Sequence, residues 1–191
     1  MKSTKAMGAA GLAISLATSL ISGTGAVAAE QGAVEDRLVE ISQRYTEVGQ
    51  VLSDDDAAFV KEHASLAGPE QRGSASRSFS RAGSGAGGSG NLTGYMKTTN
   101  GPGLSNSYNF SANAAGSSRV NKTTVCGAVR GYGLVGSGGV GLVFSETPCA
   151  TAGGHGQQIS RGRPYSGLVA YSTLVVYGDF YTGSGSFRIS S

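Results

Sequence analysis

His155, Glu146 and Asp179 are the residues whose chemistry would suit hydrolysis; with Glu70 they supply all the imidazole and carboxylate groups after residue 67. A serine activated by His155 and oriented by Asp179 would form a nucleophilic triad, and Glu146 with Asp179 a glycosidase-type carboxylate pair. Neither set has a supporting motif. No G-x-S-x-G elbow occurs, and "AGGHGQQ" reads as a loop that exposes His155.

A second candidate is "VRGYGLVGSGGVGLVF", residues 129–144, where Gly131, Gly133 and Gly136 match the spacing of a dinucleotide-binding loop. That chemistry needs a helix N-terminus after the last glycine. Here Ser137-Gly138-Gly139-Val140-Gly141 follows, and each glycine costs a helix about 1 kcal/mol relative to alanine. No acidic residue stands about 20 positions downstream to take a ribose hydroxyl. The segment is expected to be a β-hairpin with bulges or close strand packing, and neither nucleotide nor other cofactor is expected.

Cys126 and Cys149 flank that hairpin and are expected to form a disulfide, closing a loop of about 24 residues for roughly 3 kcal/mol. As metal ligands they would have only His155 for company, too thin a donor set.

These candidates need elements to hold them. "LVAYSTLVVY", 168–177, puts Val169, Tyr171, Thr173, Val175 and Tyr177 on one strand face and Leu168, Ala170, Ser172, Leu174 and Val176 on the other. Both faces are largely apolar, so the strand is expected to be central and covered on both sides. "SYNFSA", "RVNKTTVCGAV", "GLVFSE" and "SFRIS" are further strand candidates between Gly, Asn and Pro punctuation. The reading for 92–191 is a basic domain in a mainly β fold, a small antiparallel sandwich or barrel with one disulfide.

Before it, 30–67 is acidic and helical by pattern, with helices expected over 32–50 and 54–66. Ser53 with Asp56 three positions on signals the second helix start. Val34, Leu38, Ile41, Tyr45, Val48 and Leu52 recur at spacings of four and three, a narrow apolar seam. Such a seam packs on the body of the protein or docks on another protein, and it is the candidate partner-binding site. Residues 68–91, rich in Gly, Ser and Ala, read as a flexible linker. Arg72, Arg77, Phe79 and Arg81 within it would offer a cleft-binding or processing site.

At the N-terminus, Lys2 and Lys5, an uncharged run and the small residues 26–29 read as a signal peptide over 1–29, with no membrane span after its removal. Charge divides what remains. Residues 30–67 hold nine acidic against three basic groups, net −6; residues 68–191 hold ten basic against three acidic, net +7. The excess basic groups are scattered in sequence, so nucleic acid is not the expected partner, and the acidic segment itself is the nearest counter-charge. The expected function is a secreted, non-enzymatic binding or adaptor protein, a subunit of an extracellular complex such as a toxin or surface particle. Its partner would be another secreted or cell-surface protein. An inhibitor of secreted proteases and a small secreted hydrolase are the alternatives.

Overall fold

The computed structural model describes residues 23–63, 65–66, 73–101, 104–136 and 138–191, with the side chains of 23–32 and 65–66 excepted. Most of the signal segment and Arg72 lie outside the described residues. Two helices, α1 (Gly23–Arg44) and α2 (Asp54–His63), precede ten strands. These are β1 (Ser65–Leu66), β2 (Gly73–Gly85), β3 (Gly88–Asn100), β4 (Ser105–Gly116), β5 (Val120–Val135), β6 (Gly139–Glu146), β7 (Cys149–Gly153), β8 (Gly156–Ser166), β9 (Tyr171–Thr182) and β10 (Gly185–Ser190). Among the described residues no helix is long and apolar enough to cross a membrane.

The fold is mainly β, a sandwich of two antiparallel sheets. One runs β2-β3-β4-β8; the other runs β1-β9-β5-β6, with β10 beside β9 and β7 beside β5. Between them Phe79, Leu92, Met96, Phe110, Val125, Val129, Val176 and Phe180 form the main core. β5 and β9 are buried on both faces because α1 and α2 cover the far side of their sheet. Val175 and Tyr177 pack beneath α1 while Leu174 and Val176 enter the inter-sheet core, as the two-sided apolar pattern of β9 requires.

The glycine-rich stretch is a hairpin between β5 and β6, with a bulge at Gly131/Tyr132 and its turn at Gly136 and Gly138, both with positive φ. A side chain at Gly133 would collide with the carbonyl of Leu168, whose loop is anchored by Ala170 N donating to Tyr132 O at 2.7 Å. Close backbone approach, not phosphate binding, accounts for that glycine. Cys126 and Cys149 sit opposite each other on β5 and β7 and are joined, with Cα atoms 4.1 Å apart.

Three expectations are corrected. The linker over 68–91 is, from Gly73 onward, the edge strand β2, its turn and the start of β3, paired along 13 positions. A boundary at residue 92 therefore cuts through β3. The strands meet at Ala86-Gly87, both at positive φ as a tight two-residue hairpin turn demands. Phe79 supplies the apolar anchor that composition seemed to lack: it is buried and packs over Gly94, its cross-strand partner.

Second, α1 stops at Arg44 and does not run to residue 50. From Gly49 the backbone finds strand partners instead: Gly49 N donates to Leu142 O at 2.7 Å, Leu142 N to Gln50 O at 2.9 Å and Leu52 N to Val140 O at 2.9 Å. Third, α2 ends at His63, not residue 66, where Ser65 and Leu66 pair with β9. Its start is as expected, with Asp56 N donating to Ser53 Oγ at 3.3 Å and Ala57 N to Ser53 O at 2.8 Å.

Candidate binding surface

The helices cover the outer face of the six-stranded sheet, whereas the outer face of β2-β3-β4-β8 is open to solvent among the described residues. Alternation and register lay it out in cross-strand rows, of which one end row is Ala82-Asn91-Ala115-Gly156 and the other four are Ser80-Thr93-Asn113-Gln158, Ser78-Tyr95-Ser111-Ser160, Ser76-Lys97-Asn109-Gly162 and Ser74-Thr99-Ser107-Pro164. Neighbours along a row stand about 4.8 Å apart and successive rows about 6.8 Å. Lys97 is the one charge in these rows and Tyr95 the one aromatic ring. Hydroxyls and amides fill nearly every other position of the four rows from Ser80 to Ser74, and Ser74 and Thr99 hydrogen-bond each other at 2.9 Å.

A solvated sheet face needs only polarity, which long charged side chains supply equally well. Ordering a Lys, Arg, Glu or Gln costs about 1.5–2 kcal/mol of rotamer entropy, while a serine has one torsion to fix. The face therefore loses little freedom when covered. It presents adaptable donors and acceptors around a rigid ring, the composition that suits binding loops. The signal was present in the sequence as serine at alternate positions 74, 76, 78 and 80, a period-2 pattern.

The apolar seam lies elsewhere. Leu38, Ile41, Tyr45 and Leu52 are buried within the chain, Val34 is half-buried, and Val48 alone is well exposed, at 66%. Ile41, Tyr45 and Leu52 pack with Val60, Tyr132 and Leu142, and Leu38 packs with Ala128, Val175 and the disulfide. As a partner-binding surface the seam is thus corrected: the two-sided strands β5 and β9 needed a cover, and the seam supplies it.

Buried polar groups lock this layer in place. Asp56, 1% exposed, accepts from Arg37 Nη2 at 2.7 Å, Arg44 Nη1 at 2.5 Å and Tyr45 Oη at 2.9 Å. Burial pushes its pKa up, but hydrogen bonds from Tyr45 and Ser53 and the charge of Arg44 outweigh it and hold the carboxyl below the usual range. Arg130, buried on β5, donates through Nη2 to Ser42 O at 2.6 Å, in the last turn of α1, and through Nη1 to Glu146 O at 2.8 Å. It caps the helix C-terminus, where a cation is favoured, and burial pulls its pKa down. In the sequence Arg130 is only one of the ten basic groups scattered over 68–191, with no signal of this role.

Of the arginine group, Arg77 reaches from β2 to α1 and ion-pairs with the buried Glu35, while Phe79 is in the core and Arg81 is half-buried. The unstructured stretch that a cleft or processing enzyme would engage is absent over 73–91. The hydrolytic candidates are not brought together. Arg188 holds Asp179 at 2.6 and 2.9 Å, Arg163 holds Glu146 at 2.6 Å, and His155 is exposed between β7 and β8 with no hydrogen bond or ion pair to either carboxylate.

No protein-family model, curated protein or solved structure matches the chain.

Proposed function

We propose that the chain is a secreted, non-catalytic binding protein that joins an extracellular complex through the outer face of β2-β3-β4-β8. The carrying observation is the array of short hydroxyl and amide side chains around Tyr95 on the sheet face that the helices leave uncovered. The partner is a secreted or cell-surface protein that offers a neutral, hydrogen-bonding surface. Tyr95 is the anchor, since a rigid aromatic ring amid short polar neighbours gives the most contact area for the least ordering.

The test is capture from culture medium with the wild-type chain, with a variant carrying Ser78→Glu and Ser111→Glu, and with Tyr95→Ala. Ser78 and Ser111 flank Tyr95 in one row, and all three are solvent-facing, so the melts should move by no more than about 0.5 kcal/mol. The glutamates should abolish capture, and Tyr95→Ala should weaken it by about thirtyfold, a 2 kcal/mol anchor. Undiminished capture by both variants would place the interface elsewhere.

A further inference from the structure

Six large apolar side chains are exposed among the described residues, and five of them, Val48, Val51, Leu104, Leu134 and Leu168, gather at one end of the sandwich; the sixth is Tyr95. Contacts tie their loops together. Val51 bridges β6 at Gly141, Leu134 pairs with Val140 beside the β5-β6 turn, the Leu168 carbonyl lies over Gly133, and Gly167 N donates to Leu104 O at 3.1 Å. A single exposed leucine is ordinary, but five such residues at one end mark a contact surface.

Charge decides what covers it. At this end Glu47, Asp54 and Asp55 are exposed and make no ion pair among the described residues. Arg37 and Arg44 are matched by Glu40 and Asp56, Lys61 offsets Glu62 on α2, and Lys97 stands three positions in from the end of β3. The opposite end is built from the tight turns at 86–87, 117–119, 154–155 and 183–184, and it exposes Arg119, Lys122 and His155. Asp179, two positions along β9 from the partner of Lys122, is already held by Arg188. Arg119 donates to Gly87 O at 3.1 Å and, with Ala86, Thr182, Gly183 and Ser184, borders a shallow hollow.

Two apolar ends brought together would set Glu47, Asp54 and Asp55 against their own copies, which disfavours a twofold pairing. An acidic apolar end against a basic one is attractive, and this chain carries both at opposite ends of the same strands. The area suffices: five strands at about 4.8 Å by three layers of about 10 Å give about 700 Å² per copy, near the roughly 800 Å² each partner buries in a standard interface.

We propose that copies of this chain associate head to tail along the strand axis, the apolar acidic end of one seated on the basic turns of the next. Such a contact leaves one free end of each kind, so growth is open-ended. Tyr95 lies on a sheet face parallel to this axis, so the contact stands or falls independently of the sheet-face interface.

Sedimentation velocity of the full chain over a concentration series tests it. The variants are Leu134→Ser, Glu47→Arg with Asp55→Arg, and Arg119→Glu with Lys122→Glu, all at exposed positions, so far-ultraviolet spectra should be unchanged. Wild type should sediment faster as concentration rises toward about 1 mM, with no plateau at the dimer, and about 0.5 M salt should weaken the association by screening. Each variant alone should associate at least about tenfold more weakly. An equimolar mixture of the two charge variants should restore association, because each reversed end then meets its complement. No association at about 1 mM, a plateau at the dimer, wild-type association by the Arg119 variant, or no restoration in the mixture would overturn the proposal. So would Leu134-dependent binding to neutral phosphatidylcholine vesicles, which would assign the apolar end to a lipid surface.

Discussion

Replacing Asp56 with alanine removes the group on which the helical layer converges. The carboxylate takes hydrogen bonds from Arg37, Arg44 and Tyr45, and it belongs to the first turn of α2, where negative charge is favoured. Losing one member of a buried ion pair costs about 3–5 kcal/mol when the other is stranded without water. Here both arginines are part-exposed and rehydrate, so most of the loss falls on the buried Tyr45 hydroxyl and the desolvated carboxylate contacts. Hydrogen bonds to a charged group contribute about 1.5–3 kcal/mol, so the expected loss is about 3 kcal/mol, or about 6–12 °C in Tm for a chain of this size. Thermal and urea unfolding of wild type, Asp56→Ala, Tyr45→Phe and the double variant would measure it. The Asp56 and Tyr45 effects should fall short of additivity by about 1 kcal/mol. The acid limb gives a second reading. Because the folded carboxyl titrates below its unfolded value, the stabilisation is complete above the unfolded pKa of about 3.9 and is lost as pH falls through the folded one. Wild type and Asp56→Ala should therefore converge in stability below about pH 4. A loss under about 0.5 kcal/mol at neutral pH, within ordinary surface scatter, would refute this account of the helical layer.

Arg130→Met should cost about 2 kcal/mol, because the carbonyls of Ser42 and Glu146 lose a buried donor and that outweighs the recovered desolvation of the guanidinium. A variant as stable as wild type in urea would show that the helix cap contributes nothing. For the disulfide, intact-mass measurement after alkylation should find both thiols blocked until reductant is added, and reduction should lower stability by about 3 kcal/mol. Two alkylated cysteines in the native, unreduced chain would contradict the bridge.

Much of the fold was legible because period and punctuation are local signals. The two apolar faces of 168–177 required a strand with a layer on each side, and β9 supplies it from Tyr171 onward, whereas 168–170 are loop and Leu168 is exposed rather than covered. Gly136 and Gly138 marked the turn of a hairpin, and Ser53 with Asp56 marked a helix start. What failed was inference from composition. Residues 73–85 have the small polar residues of a linker, yet Ser74, Ser76, Ser78 and Ser80 alternate with Arg77, Phe79 and Arg81, and one buried phenylalanine over Gly94 suffices to seat the strand. The end of α1 was misplaced because the apolar spacing continues through Val48 and Leu52 after the backbone has left the helix to pair with β6. Side-chain period cannot register a change of hydrogen-bond partner.

The seam shows why an apolar helix face alone does not identify an interface. Six apolar residues at helical spacing require a cover but do not say whose. The missing information was elsewhere in the chain: a strand apolar on both faces requires a third layer, and a segment of net −6 beside one of net +7 supplies a layer of complementary charge. Among the described residues one ion pair joins the two segments, Glu35 with Arg77 at one side of α1, and Arg130 adds a hydrogen bond to the Ser42 carbonyl at its C-terminus. With the acidic segment used as the cover of the six-stranded sheet, the binding role proposed above has to draw on what remains exposed. Among the described residues the sheet face left uncovered is the serine-rich one around Tyr95.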